Sequence, residues 1–346
     1  MLRALLGALA RPDSSDYPPC PAAYVGLLCA LIVSPESPHT GENPQKENGR
    51  NYRRACRAIR SGTQPRAQGE WDGVDVSFAT CPGSVTRSNE DFVTASPSVA
   101  VVLDGLSAPP ALGTGCVHGT PWFVTQLAIQ LVSTATTARD EPLQDLVAGA
   151  ISRVADSHAH TCDLEHPGTP SSSLAILREH AQRVEYLLLF DSVIVLDGPS
   201  GLTVLSDRRV DAFAQEEHQA TREHPIGSPA HQDHVQALVA TQRRHRNQPG
   251  GYWVAGAKPA AAYQAVTGSR PHDQISRAAL FSDGVSCLVE PYAMVDWTEL
   301  LTLLQQHGPT HAITRVREAE DTDPTGDRWP RYKRSDDATV AFCLLG

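Results

Sequence analysis

The sequence predicts an α+β fold built on antiparallel sheets. Short apolar runs of strand length recur without regular strand–helix–strand alternation. Between positions 173 and 205 they follow one another across short turns such as Asp197-Gly-Pro-Ser-Gly201. Helical periodicity is confined to paired segments before and after that stretch.

In chain order, Val74-Asp-Val-Ser-Phe78 alternates as a half-buried strand, and Val99-Ala-Val-Val-Leu103 is continuously apolar, as a buried strand is. Pro121 to about Arg139 places Phe123, Leu127 and Leu131 at helical spacing with proline at its start. Pro142 to about His158 repeats that design with Leu143, Leu146, Val147, Ile151 and Val154. Ser173–Leu177, Val184–Phe190, Val193–Leu196 and Leu202–Leu205 read as an antiparallel meander. Residues 211–246 are polar, rich in histidine and helical in pattern, and Gly250-Gly251 breaks them. Ala278–Phe281 is another buried strand. Trp297–Gln306 and Thr310–Glu320 are two further helices, Asp321–Tyr332 a loop, and Ala338–Leu345 the closing strand.

Residues 1–73 differ from the rest. Ser34–Glu70 is rich in Pro, Gly, Asn, Arg and Ser with no sustained period, and reads as a disordered N-terminal extension or a start-site artefact. Residues 74–346 are expected to be one domain. The formal net charge of −10 leaves no basic stripe for a phosphate backbone, so nucleic acid is not an expected partner. The apolar run from Ala22 to Val33 is about half of the ~20 residues a membrane helix needs, so no membrane association is expected. The eight cysteines form no C-x-x-C pair, which points to reduced thiols and a cytoplasmic location. Oligomeric state is not legible here.

Carboxylates carry the chemistry. Asn89-Glu90-Asp91, Asp104-Gly105, Ser282-Asp283-Gly284 and Asp336-Asp337 are spread over the chain, and three of the four patches adjoin a strand-like run. Strands that each deliver a carboxylate to one edge make a hard-cation site, since Mg²⁺ and Mn²⁺ take oxygen ligands. Other patterns have plainer readings. His158, His160, Cys162 and His166 fall close together but match no compact zinc spacing, so a solvated loop is expected. Arg243, Arg244, His245 and Arg246 suit a helix C-terminus, or a docking patch. Gly250-Gly-Tyr-Trp-Val254 suggests core packing, or a flap near the site. Ser171–Ser173 have no histidine–aspartate relay and are not nucleophiles.

The order of these patches resembles the metal-dependent protein phosphatases of the type 2C (PPM) family, in particular its bacterial branch. The motifs are Gly83-Ser-Val-Thr-Arg-Ser-Asn-Glu-Asp91, Val102-Leu-Asp-Gly105, Ser171-Ser-Ser-Leu174, Phe190-Asp-Ser192, Phe281-Ser-Asp-Gly-Val285 and Ser335-Asp-Asp-Ala-Thr-Val340. The resemblance spans about residues 74–346. It implies a four-layer α-β-β-α sandwich, with two central antiparallel sheets flanked by helices and the metals at one edge between the sheets. It also implies two Mn²⁺ or Mg²⁺ ions, a phosphorylated protein as substrate, and hydrolysis of phosphoserine or phosphothreonine by a metal-activated bridging water. By the same resemblance, Asp104 bridges the metals with help from the Gly105 carbonyl. Asp283 and Asp336 complete the first metal, Glu90 and Asp91 orient metal-bound waters, and Arg87 grips substrate phosphate. The chain departs from the family at four positions. Thr86 stands where an arginine is usual, and Leu106 where animal members have histidine. Phe190 stands where a glycine is usual, and Cys287 where some members carry a carboxylate near a third metal, so a third ion is not implied. These departures keep two alternatives open: a catalytically weak or inactive binding module of the same fold, or a phosphatase of a small phosphorylated metabolite.

Overall fold

The computed structural model describes residues 57–60 and 73–345, and all of them belong to one compact unit. The remaining part of the N-terminal extension read from the sequence lies outside the described residues. Two antiparallel sheets form the centre. The first orders β1 (Arg57–Arg60), β2 (Asp75–Cys81), β11 (Ala338–Leu344), β10 (Arg277–Phe281), β7 (Val193–Gly198) and β8 (Gly201–Leu205). The second orders β3 (Phe92–Ser96), β4 (Val99–Gly105), β5 (Ser172–Glu179), β6 (Arg183–Leu189) and β9 (Val266–Pro271).

Three apolar layers show how the sheets stack. Val76, Val102, Ala175, Leu188, Ile194, Leu280 and Ala341 pack between them. On the outer face of the second sheet lie α1 (Thr120–Thr137) and α2 (Leu143–His158). Their Phe123, Leu127, Leu131 and Ile151 meet Val101, Leu103, Ile176 and Leu187. The first sheet is covered by α6 (Trp297–His307) and α7 (Pro309–Thr322), through Leu300, Leu304, Ile313 and Val316 against Val195, Phe281 and Val340. This is the four-layer sandwich expected. A capping box starts α6, in which Asp296 accepts from the Glu299 N–H and Glu299 from the Asp296 N–H. Three further helices are α3 (Gln215–Thr221), α4 (Pro229–Arg243) and the single turn α5 (Asp283–Ser286).

The departures have physical reasons. Arg57–Arg60, inside the stretch read as unstructured, pairs with β2, so the sheet reaches further towards the N-terminus than position 74. β3 and β9 escaped the sequence reading because they are edge strands. With only one paired side and partial exposure, Val-Thr-Gly-Ser-Arg-Pro of β9 needs no apolar run. The expected meander is two hairpins in different sheets. β5 pairs with β6 and β7 with β8, and the chain crosses between sheets at Phe190-Asp191-Ser192. Phe190 makes that crossing with φ of 69°, the left-handed region that favours glycine. Four described cysteines, Cys116, Cys162, Cys287 and Cys343, are free thiols as expected, whereas Cys81 is disulfide-bonded. No described helix is long and apolar enough to cross a membrane.

Candidate metal centre

The pairing of β10 with β11 brings two patches together. Phe281 lies opposite Val340, so the strand leading to Asp283 ends where the strand following Asp336 begins. The buried Ser282 locks this junction. Its N–H donates to the Thr339 carbonyl at 2.9 Å, and its hydroxyl accepts the Thr339 N–H at 2.9 Å. From the other sheet, β4 delivers Asp104, whose Oδ2 accepts the Asp283 N–H at 3.3 Å. Both Asp-Gly pairs need their glycine. A Cβ on Gly284 would stand 1.9 Å from the Asp337 carbonyl oxygen, and one on Gly105 2.3 Å from that of Glu90.

The third patch is tied in by Asp337. Its two oxygens accept the Gly83 N–H at 2.7 Å and the Glu90 N–H at 2.6 Å, holding the loop before β3 against the start of β11. From α7, Arg317 donates to the Asp336 carbonyl at 2.6 Å and to Glu320 at 2.8 Å, so Asp336 is held from behind.

The result is a crowd of carboxylates. Asp91, Asp104 and Asp191 all titrate well above the usual carboxylate range. Desolvation is the main cause for each; the next is Asp337 for Asp91, and Asp283 for both Asp104 and Asp191. Asp283 is pushed up to about 6 by desolvation and then by the Asp336 carboxylate. One oxygen of Asp91, a residue only 4% exposed, has no hydrogen-bond partner. Buried oxygens are ordinarily satisfied, so an orphan among repelling carboxylates fits a divalent cation as the missing partner. Oxygen-only donors of this kind suit Mg²⁺ or Mn²⁺.

The sequence reading gathered Glu90, Asp91, Asp104, Gly105, Asp283 and Asp336, and the fold assembles these residues at one edge of the sandwich. Arg87 is different. It is exposed on the loop before β3, with no ion-pair partner among the described residues. Thr86 is exposed too, and its hydroxyl and N–H bond the Ser84 hydroxyl on the same loop.

Four residues of the centre were given no role by sequence reasoning. Asp191, at the crossover, joins the cluster, and Asp337 braces it. Lys333 reaches the Asp336 carboxylate at 2.6 Å and the Ser107 hydroxyl at 2.8 Å, and that hydroxyl in turn donates to Glu90. Lys333 titrates above its usual range despite desolvation, because the Asp336 and Asp283 charges hold its proton. Only its place three residues before Asp336 could have flagged it.

Two other patterns keep their plainer readings, whereas His158, expected in a solvated loop, is buried at the end of α2. Arg243 is buried at the end of α4, donating to the Leu112 and Gly113 carbonyls, so it cannot dock a partner. Tyr252 and Val254 are core residues, and Tyr252 stacks on Phe190 with ring centroids 5.1 Å apart.

A double sandwich of antiparallel sheets, with a cluster of carboxylates at one edge, defines the class: an α+β protein with an oxygen-donor site suited to hard cations. The family model described as "Protein phosphatase 2C" matches residues 88–317. This chain therefore belongs to the protein phosphatase 2C family, a family of hydrolases.

Several solved structures are similar. The Mycobacterium tuberculosis serine/threonine phosphatase PstP/Ppp is 16% identical with a TM-score of 0.47, covering 79% of this chain and 98% of that one. The catalytic domain of PstP in complex with two manganese ions is 17% identical with a TM-score of 0.46, covering 78% and 97%. Stp1 from Staphylococcus aureus is 12% identical with a TM-score of 0.47, covering 82% and 100%. A comparison with curated protein sequences finds no match.

Proposed function

We propose that this chain is a Mn²⁺- or Mg²⁺-dependent protein phosphatase acting on phosphoserine and phosphothreonine. The observation that carries the reading is the convergence of Asp91, Asp104, Asp283 and Asp336 from separate strand ends, with a buried Asp91 oxygen left unpaired. Asp104, the Gly105 carbonyl, Asp283 and Asp336 would hold the metals, and Glu90 and Asp91 would orient their waters. Bound there, divalent cations supply an activated water and neutralise phosphoryl charge. The protein's own part is position. Ser282 and Thr339 fix the β10–β11 junction, Asp337 holds Glu90, and Arg317 holds Asp336. Arg87, exposed beside the cluster's loop, is free to meet the substrate phosphate. With Leu106 in place of a histidine, no side chain stands ready as a general acid at that position. The acidic net charge supports a protein substrate over nucleic acid. Action in the cytoplasm is supported by the free thiols of Cys116, Cys162, Cys287 and Cys343, with the Cys81 disulfide as evidence against it.

The test is phosphate release from a phosphothreonine peptide with Mn²⁺ and then with EDTA. Turnover that EDTA removes and that Asp283→Asn lowers at least a hundredfold supports the reading. Full activity in that variant would sink it.

One observation favours a second reading, a binding module of the same fold. The Lys333 ammonium already sits on Asp336 at 2.6 Å, supplying positive charge where a cation is needed. Mn²⁺ titration by calorimetry separates the two, since a module satisfied by its own lysine takes up no metal.

A further inference from the structure

We propose that Cys116, His118, His158 and Cys162 form a Cys₂His₂ zinc site, distinct from the carboxylate centre, that staples the segment leading out of Asp104-Gly105 to the end of α2. Two short chelating pairs come together there. Cys116-Val-His118 lies just before α1, while His158 is the last residue of α2 and Cys162 follows it one turn on.

Three ligands already stand at the spacing of a metal site, and His118 lies beside them. The ligand atoms of Cys116, His158 and Cys162 all lie within 4.8 Å of one another. The two free sulfurs are 3.4 Å apart, and His118 Nδ1 is 3.3 Å from one and 3.7 Å from the other. With Zn–S bonds of about 2.3 Å and Zn–N bonds of about 2.0–2.1 Å, tetrahedral S–S and S–N edges come to about 3.8 and 3.5 Å. His118 already faces both sulfurs through Nδ1, the position from which a fourth ligand would close the set.

The surroundings are those of a ligand shell. His158 is buried, and its Nδ1 lies 2.7 Å from the Val154 carbonyl. A carbonyl only accepts, so Nδ1 carries the proton and Nε2 keeps its lone pair. That outer-shell bond is the one that orients and sharpens a metal-binding imidazole. Trp122 stacks on His118 at 4.4 Å and meets His158 edge-on at 4.9 Å, limiting both rings. Thiolate and imidazole ligands select zinc, whereas the oxygen-only centre selects Mg²⁺ or Mn²⁺.

The histidine-rich loop at 157–166 was read as merely solvated because its own four candidates fit no zinc spacing. The fold changes the set. His160 is exposed and His166 Nδ1 accepts the Gly168 N–H, while Cys116 and His118 arrive from 40 or more positions upstream. The stapled segment also carries Ser107, which touches Glu90 and Lys333. Zinc would therefore anchor the far end of a loop whose near end borders the carboxylate centre.

The test uses the full chain, reduced and freed of metal, titrated with Co²⁺. One equivalent should give thiolate-to-cobalt charge transfer and intense tetrahedral d–d bands. Zn²⁺ should displace these bands, and excess Mn²⁺ should not. Cys116→Ser and Cys162→Ser should abolish the bands, and Asp283→Asn should keep them. His118→Ala, a surface change that spares folding, should weaken binding and shift the bands away from tetrahedral. Zn²⁺ should raise the melting temperature of the parent and leave that of Cys162→Ser unchanged. The proposal is overturned if the folded, reduced chain gives no thiolate bands, or if the bands survive both cysteine variants. A Cys116–Cys162 disulfide in the isolated protein, with no metal uptake after reduction, overturns it as well.

Discussion

Phe190 sets two opposing energies against each other at the turn that places Asp191. Its φ of 69° costs a side-chain-bearing residue about 1–2 kcal/mol. Its ring is 7% exposed, stacks on Tyr252 and packs with Val210 and Val254. Cutting a buried Phe back to Ala costs about 3–5 kcal/mol, and that variant keeps the strain. Phe190→Gly loses the same packing but is relieved of about 1–2 kcal/mol of strain, and it loses roughly 0.4–1 kcal/mol through a freer unfolded chain. The glycine variant should therefore be less stable than the parent by about 2–4 kcal/mol, yet more stable than Phe190→Ala by about 0.5–1 kcal/mol. Urea unfolding of all three proteins, with a shared slope, measures both differences. A glycine variant as stable as the parent would mean that the stacked ring does not offset the strain. An alanine variant more stable than glycine would mean that the strain is smaller than the roughly 0.4–1 kcal/mol that glycine loses through its freer unfolded chain. Because Asp191 and Ser192 follow directly, and the Ser192 hydroxyl bonds Ser173 at 2.5 Å, the same variants report whether packing at the crossover keeps the carboxylates in place.

Lys333→Met removes a positive charge from the cluster and should tighten Mn²⁺ binding about tenfold or more, read by calorimetry; weaker binding would show that the lysine builds the site. In the metal-free protein, burial and then the Asp336 charge push Asp283 from the ordinary aspartate value of 3.8 up to about 6. A raised folded pKa adds stability that is full below 3.8 and lost as pH rises through about 6, so metal-free stability should fall across that window. Mn²⁺ offsets the loss, and the melting-temperature gap with and without Mn²⁺ should widen from pH 5 to 7; a constant gap would contradict this. Arg178, 1% exposed, bonds Glu185 and the Ala138 and Glu141 carbonyls, so Arg178→Met should destabilise by about 3–5 kcal/mol in urea unfolding. Glu185 itself is held down to about 2, since hydrogen bonds from Arg178, Arg183 and His180 overcome desolvation. Its stabilising contribution should therefore persist above about pH 4.5 and disappear only as pH falls through about 2.

The central strands were legible because both of their faces are covered. β4 and β5 are buried almost throughout, and each carries a continuous apolar run, Val99–Leu103 in β4 and Leu174–Leu177 in β5, a signal that needs no partner to be read. α1, α2, α6 and α7 were legible because a single face meets a sheet and its apolar residues recur at helical spacing. The edge strands β3 and β9 were not, since a partly exposed edge places few demands on composition. Within the candidate centre, Asp104 and Asp283 were legible because each ends an apolar strand and is followed by a glycine that only close backbone approach explains.

The sequence by itself determined the α+β class, most of the strands and helices, and the strand ends that carry Asp104, Asp283 and Asp336, because periodicity and strand ends are properties of neighbouring residues; the four layers came from the family resemblance. Tertiary structure alone decided which distant groups meet. Lys333 meets Asp336 and, through Ser107, Glu90; Phe190 is held in a left-handed turn by Tyr252; and Cys116 and His118 face His158 and Cys162. Each of these depends on how two sheets and their helices close on one another, and no local pattern of residues encodes such a distance.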